Sequence, residues 1–313
     1  MLITGGAGFI GSHLVDRLVD EGFVVRVLDN FSSGRIDNIK HNLNRVEVLK
    51  GDLKDPDTAL KALKDVEVVF HFAANPEVRV STTNPEVHFK ENVVATFNLL
   101  EAVRKVGVGQ LIFASSSSVY GEPESIPVNE DAPMRPVSVY GASKMACESL
   151  IHAYTRLYGV RAVVLRYANV VGPRLQHGVV YDFIVKLLKQ PEELEILGDG
   201  KQVRSYIHVN DAVEATLTAW RNMRSEFEVY NVGSEDWITV NQVAQIVTSV
   251  MGLKNVEFVY NPVLHGVGWP GDVKRIALAI EKLKALGWKP KMNSAQAIKE
   301  AARSIVEELT THG

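Results

Sequence analysis

The chain opens Met1-Leu-Ile-Thr-Gly-Gly-Ala-Gly-Phe-Ile-Gly11, which reads as a short strand, a glycine turn and the apolar start of a helix. Gly5, Gly8 and Gly11 are spaced G-x-x-G-x-x-G. Glycines so placed let the backbone turn tightly, approach a pyrophosphate and pack helix on sheet, while the helix N-terminus turns its amides to the phosphate. Outward from that loop, the strand expected at 24–29 ends in Asp29, whose carboxylate can accept adenosine ribose hydroxyls and would repel a 2′-phosphate. NAD is favoured over NADP, a preference tempered by the nearby Arg35. Two further strand ends suit the same ligand. Asp52-Leu53 can contact adenine, although an Asp there can equally be a helix N-cap, and Phe72-Ala73-Ala74 can line a dinucleotide or merely pack.

Apolar strand-like runs alternate with helical patterns beyond this opening. Strands are expected at Leu2–Thr4, 24–29, 46–50, 66–73, 110–115 and 161–168, and helices at 12–21, 57–64, 92–106 and 140–158. The repeated β-α-β rhythm predicts an α/β chain, a Rossmann-type doubly wound parallel sheet with helices on both faces. The first strand is brief, so weak pairing is expected there. After about residue 170 the rhythm loosens into a helix at 179–190, a strand at 194–197, a strand-helix unit at 204–223, a strand at 227–232 and helices at 239–252, 278–286 and 294–310. The expected organisation is a dinucleotide-binding domain over 1–170, with a returning segment near 204–233, and a smaller C-terminal substrate-binding lobe over 171–313. No low-complexity linker separates them, so a shared cleft at the carboxyl ends of the strands is expected.

Bulk properties narrow the classes. At 313 residues the chain can bury a large core without crosslinks, and its one cysteine, Cys147, forms no intramolecular disulfide. A formal net charge of −3 offers no basic field for nucleic acid. No apolar stretch reaches the ~20 residues of a membrane span, and no secretory leader is read, so a cytoplasmic protein is expected. The nine histidines lack metal-site spacing, and no metal is read.

The chemistry is carried by Ser138-Val-Tyr-Gly-Ala-Ser-Lys144, which follows the strand and serine run QLIFASSSSVYG of 110–121. Tyr140 and Lys144 are four residues apart and so share a helix face. An ammonium beneath a phenol favours its ionised form. Moving a phenol from pH ~10 to ~7 takes about 4 kcal/mol, more than a lysine alone supplies, so a bound, positively charged nicotinamide ring belongs to the same expectation.

TGGAGFIG at 4–11, LDN at 28–30, HFAAN at 71–75, SSSSVYG at 115–121 and YGASK at 140–144 closely resemble the extended short-chain dehydrogenase/reductase family. Downstream, LRYANVVGPR (165–174), ILGDGKQVRSYIHVNDAV (196–213) and WPGDVKR (269–275) resemble its sugar-nucleotide-modifying members, in particular the UDP-galactose (UDP-glucose) 4-epimerases. The resemblance implies Tyr140 as acid/base, Lys144 as the group that lowers its pKa and binds the nicotinamide ribose, and Ser116 as the hydroxyl beside the reacting sugar oxygen. It extends the cofactor set beyond Gly5, Gly8, Gly11, Asp29, Asp52, Leu53, Phe72, Ala73 and Ala74 to Phe9, Ile10, Asn30, Ser33, Gly34, Asn92, Ser115, Tyr140, Lys144 and Tyr167. For the nucleotide sugar it implies Ser116, Ser117, Tyr140, Asn169, Arg204, Tyr206 and Asp272. A homodimer formed through the helices at 92–106 and 140–158 is also implied.

The implied reaction is oxidation of the sugar 4-hydroxyl to a 4-keto sugar and return of the hydride to the opposite face. Related 4,6-dehydratases place an Asp-Glu pair after the active-site hydroxyl, and decarboxylases a Glu, where this chain has Ser117 and Ser118. Dehydration therefore lacks its acid/base groups and epimerisation is preferred. Three positions depart from the epimerase pattern. Trp269 replaces an arginine before Pro-Gly-Asp, leaving Arg275 or Arg174 as substitutes; Pro76 stands in place of a cofactor-reaching lysine; Ile276 occupies a position that gates 2-acetamido sugars. Two readings compete: an oxidoreductase that releases NAD(P)H or a dehydratase, and a non-catalytic NAD-sensing module. The second predicts loss of Tyr140 or Lys144, and both are intact.

Overall fold

A computed structural model of the chain describes residues 1–311. The first half alternates β1 (Leu2–Thr4), α1 (Phe9–Asp20), β2 (Val25–Asp29), β3 (Val46–Lys50), α2 (Pro56–Ala62), β4 (Val68–His71), α3 (Glu86–His88), α4 (Ala95–Val106), β5 (Gln110–Ser116), α5 (Val139–Tyr158) and β6 (Arg161–Tyr167). Then follow β7 (Asn169–Val171), α6 (Val179–Lys189), β8 (Glu193–Leu197), β9 (Val203–Arg204), β10 (Tyr206–His208), α7 (Val209–Arg221), β11 (Phe227–Val232), β12 (Ile238–Thr239), α8 (Val240–Val250), β13 (Glu257–Asn261), β14 (Arg275–Ile276), α9 (Glu281–Lys284) and α10 (Ser294–Thr311).

The main sheet is seven-stranded and parallel, in the order β11-β6-β5-β4-β1-β2-β3. Alternation along β5 shows why both faces are covered: Leu111 and Phe113 pack against α2, α4 and α5, while Ile112 and Ala114 belong to the core beneath α1 and α7. The strand order reverses between β1 and β4, which opens a crevice at the carboxyl ends of the strands. A separate core joins α6, α8 and α10 with β8 and β10 on the far side of that crevice.

The expected weak pairing of the first strand does not occur. Three residues suffice because β1 lies in the middle of the sheet, bonded to both β2 and β4, and all three are fully buried. The Met1 ammonium ties its start to the Val24 carbonyl at 2.8 Å. α1 begins at Phe9, three residues before the expected start, since the glycine turn closes directly onto it. The helix expected from 92 is a π-helical turn, Phe89–Val94, until α4 begins at Ala95. The expected helix at 278–286 shrinks to α9. β7, β12, β13 and β14 were not expected as strands, and each depends on a partner far away in the chain; the strand expected to open the unit at 204–223 is split into β9 and β10.

Candidate active site

A cavity of about 510 Å³ occupies the crevice and reaches into the second lobe. At the loop end, Gly5 has φ +67°, and a β-carbon there would lie 2.7 Å from the Ala73 nitrogen; one on Gly11 would lie 2.2 Å from the Gly5 carbonyl oxygen. The loop can therefore stay tight only with glycine. Gly8 caps α1 with no side-chain bond, so the first amides of the helix, at Phe9 and Ile10, face the cavity without a side-chain cap. Asp29 ends β2 almost buried, accepting from the Ala7 amide at 2.9 Å and the Phe31 amide at 2.8 Å. Burial pushes its carboxyl up, against those two amides. Asn30, Ser33, Gly34, Leu53, Phe72, Ala73 and Ala74 continue the wall. Asp52 also faces the cavity and accepts from Asn30 at 3.1 Å; the cap of α2 is Asp55 instead. The glycine turn, the uncapped amides and the two carboxylates, Asp29 and Asp52, fit a dinucleotide.

At the centre, Ser138 caps α5 through the Gly141 amide at 3.1 Å, which sets Tyr140 in the first helical turn with Lys144 one turn on. The Tyr140 amide also donates to Ser81 Oγ at 3.1 Å. Lys144, 3% exposed, donates to the Ala114 carbonyl at 2.9 Å, and its Nζ lies 5.9 Å from the centre of the Tyr140 ring. Burial lowers Lys144 to about 8, opposed by Cys147 and Glu148. Tyr140 departs from expectation. Burial of its hydroxyl pushes it up to about 12, and the Ser116 hydroxyl bonded to it pulls the other way. The protein's own groups hold the phenol neutral; a cation entering beside it is what would lower its pKa and favour the phenolate.

α5 carries a third polar residue in the same stripe. Glu148 is buried one turn beyond Lys144, accepts from Ser115 Oγ, and pairs with Arg166 at 2.7 Å with both side chains at most 5% exposed. Arg166 also donates to Tyr120 Oη, which donates to Asn231 at 2.7 Å. Ser115 therefore lines the cavity but turns its hydroxyl to Glu148. Tyr167 lines it too, its hydroxyl bonded to Thr216 at 2.6 Å.

One expected site residue is misplaced. Asn92 is 1% exposed behind the cavity wall, where it accepts from the Asn75 amide and donates to Ser143 Oγ at 2.8 Å, because the π-helical turn rotates it inward. Every other candidate, including Ser116, Ser117, Asn169, Arg204, Tyr206 and Asp272, lines the cavity. Arg204 is not a bare cation: it pairs with Asp272 at 2.7 Å and donates to the Val203 and Val273 carbonyls. Tyr206 is buried beside it and pushed up to about 12. Asn169 donates to the Ser205 carbonyl at 3.3 Å.

Of the two substitutes for the missing arginine, Arg275 lies outside the cavity wall and exposed, and Arg174 lies in it but bonds to α1. Sequence reasoning missed Glu77, Arg79, His177 and Asp182 in the wall. Arg79 is held by Glu77 at 3.0 Å and Asp182 at 3.4 Å and lies 6.0 Å from the Trp269 ring centre, while the Trp269 indole nitrogen is buried without a partner. Their scatter over a hundred residues of chain gave no spacing to read.

Residues 1–233 match the model of the NAD dependent epimerase/dehydratase family. A solved structure titled as a UDP-galactose 4-epimerase is 51% identical with a TM-score of 0.89, covering 98% of this chain and 99% of its own. A protein of Methanocaldococcus jannaschii, provisionally named a UDP-glucose 4-epimerase, is 41% identical over 96% of each chain. A dTDP-glucose 4,6-dehydratase double mutant from Streptomyces venezuelae, solved with NAD bound, is 28% identical with a TM-score of 0.92, covering 99% of this chain and 98% of its own. With its parallel sheet, glycine loop and Tyr140–Lys144 pair, the chain belongs to the NAD dependent epimerase/dehydratase family, within the extended short-chain dehydrogenase/reductases.

Proposed function

We propose that the chain catalyses NAD-dependent epimerisation at carbon 4 of a nucleotide sugar of the UDP-galactose/UDP-glucose type. The observation that carries this reading is the placement of Ser116, Tyr140 and Lys144 in one cavity with only hydroxyls, those of Ser117 and Ser118, following Ser116. A dehydratase shares the fold almost completely, so the choice rests on side chains. Eliminating water needs an acid and a base beside the reacting hydroxyl, and the serines supply neither.

The glycine loop, the α1 amides and Asp29 would hold the dinucleotide, and its nicotinamide supplies a reversible hydride acceptor. Ser116 orients the sugar 4-hydroxyl toward Tyr140. Tyr140 removes that proton as phenolate and gives it back when the 4-keto sugar has presented its other face. Lys144, anchored on the Ala114 carbonyl beneath the phenol, adds fixed positive charge to the phenolate state. Asn169, Tyr206 and the Arg204–Asp272 pair line the arm where the nucleotide half would lie. Exposed Phe97 on α4 and exposed Leu157 and Tyr158 on α5 support a homodimer through those helices.

The deciding experiment incubates the protein with UDP-galactose or UDP-glucose without added NAD and follows the nucleotide sugars by chromatography. Interconversion is expected. Stoichiometric NADH release, or a 4-keto-6-deoxy product, would replace this reading with the oxidoreductase or the dehydratase. Tyr140→Phe should keep bound NAD yet lose about 10²–10⁴ of the turnover.

A further inference from the structure

Five cationic side chains line the cavity: Arg79, Lys144, Arg174, Lys186 and Arg204. Four have places away from the glycine loop. Arg79 is clasped by Glu77 and Asp182, Lys144 lies under Tyr140, Lys186 pairs with Glu195 at 2.8 Å and Arg204 with Asp272. Arg174 alone crosses to α1. Its Nη1 donates to Ser12 Oγ at 3.1 Å and its Nη2 to Asp16 Oδ2 at 2.8 Å, which sets the guanidinium beside the first turns of the helix that the glycine loop begins.

The backbone is held for this reach. Arg174 has φ +67°, a conformation that costs a side-chain-bearing residue about 1 kcal/mol or more, and its amide donates to Glu308 Oε1 of α10 at 3.0 Å. It follows Gly172-Pro173 at the end of β7, so the second lobe delivers the cation to the first. The loop itself offers a pyrophosphate only amides; the carboxylate that meets it, Asp29, accepts from the Ala7 amide, and His13 on α1 is lowered to about 4, chiefly by burial, and stays neutral. A pyrophosphate at the start of α1 brings two negative charges, and a guanidinium fork suits phosphate oxygens. The bonds to Ser12 and Asp16 occupy only part of that fork.

We infer that Arg174 is a cofactor-binding residue that pairs with the pyrophosphate of the dinucleotide, so that the second lobe clamps NAD from above the glycine loop. The inference rests on the reading of this cavity as an NAD site and adds to it a residue that neither the loop nor Asp29 indicates.

The test measures calorimetric binding of ADP-ribose and of adenosine to the full chain freed of nucleotide, in wild type, Arg174→Gln and Arg174→Lys. ADP-ribose carries the pyrophosphate and adenosine does not, so the ratio of their affinities removes any general damage to the site. The ratio should fall about tenfold to a hundredfold in Arg174→Gln, as expected for loss of a hydrogen bond to a charged group, and less in Arg174→Lys. An unchanged ratio in both variants would show that Arg174 is only a strut between the lobes and overturn the inference. A wild type that binds neither probe would overturn the cofactor reading together with it.

Discussion

Lys144 and Tyr140 meet in one cavity but are pushed in opposite directions by the same burial, and each direction has a consequence. Lys144 sits at about 8 in the folded chain against 10.5 unfolded. Between those values the unfolded chain binds more protons, so stability rises with pH; the penalty for burying the ammonium is full below pH ~8 and relieved above it. Relative to Lys144→Met, the wild type should gain about 2–3 kcal/mol between pH 7 and pH 10 in urea unfolding, with Tyr140 common to both proteins. A difference that stays flat with pH would show that the ammonium is not desolvated. The Tyr-x-x-x-Lys spacing was legible because helical periodicity puts the pair on one face, and Ser116, at the end of β5, was named by the family resemblance. The rise of Tyr140 was not, because it depends on what covers the phenol: His88, for example, meets its ring edge-on at 5.6 Å.

At the scale of the element, α5 is a stripe of Tyr140, Lys144 and Glu148 that points chemistry at the cavity and a charge pair at the sheet. The Glu148–Arg166 pair ties α5 to β6 and, through Ser115, to β5. Removing one partner strands the other in a dry interior. Glu148→Ala should therefore cost about 3–5 kcal/mol of stability, read as a lowered urea midpoint, and Arg166→Met combined with it should recover much of that loss. No recovery in the double variant would mean that the pair acts mainly through Tyr120 and Asn231. The existence of α5 and β6 was plain from their apolar patterns. Their polar joint was hidden, since Glu148 and Arg166 stand 18 residues apart on different elements and no local spacing marks them as partners.

At the scale of the whole molecule, the crevice is made by the reversal of strand order at β1 and closed by a lobe whose strands pair across long stretches of chain. The apolar side chains left exposed on α4 and α5 lead to an expected dimer in sedimentation at micromolar concentration. Leu157→Asp with Phe97→Asp should shift it to monomer, and a monomeric wild type would remove those helices from any interface. The sequence by itself determined the β-α alternation, the glycine loop with Asp29 and the Tyr140–Lys144 spacing, because each is a local pattern set by backbone geometry or helical and strand period, while Ser116 was named by the family resemblance of the serine run. Only the tertiary structure decided that Asn92 turns inward, that Arg204 is matched by Asp272 and that Arg174 reaches α1. The two arginine contacts join residues 68 and 162 positions apart, and the π-helical turn that rotates Asn92 belongs to the packing around it; no local pattern records which distant partner a charge will meet.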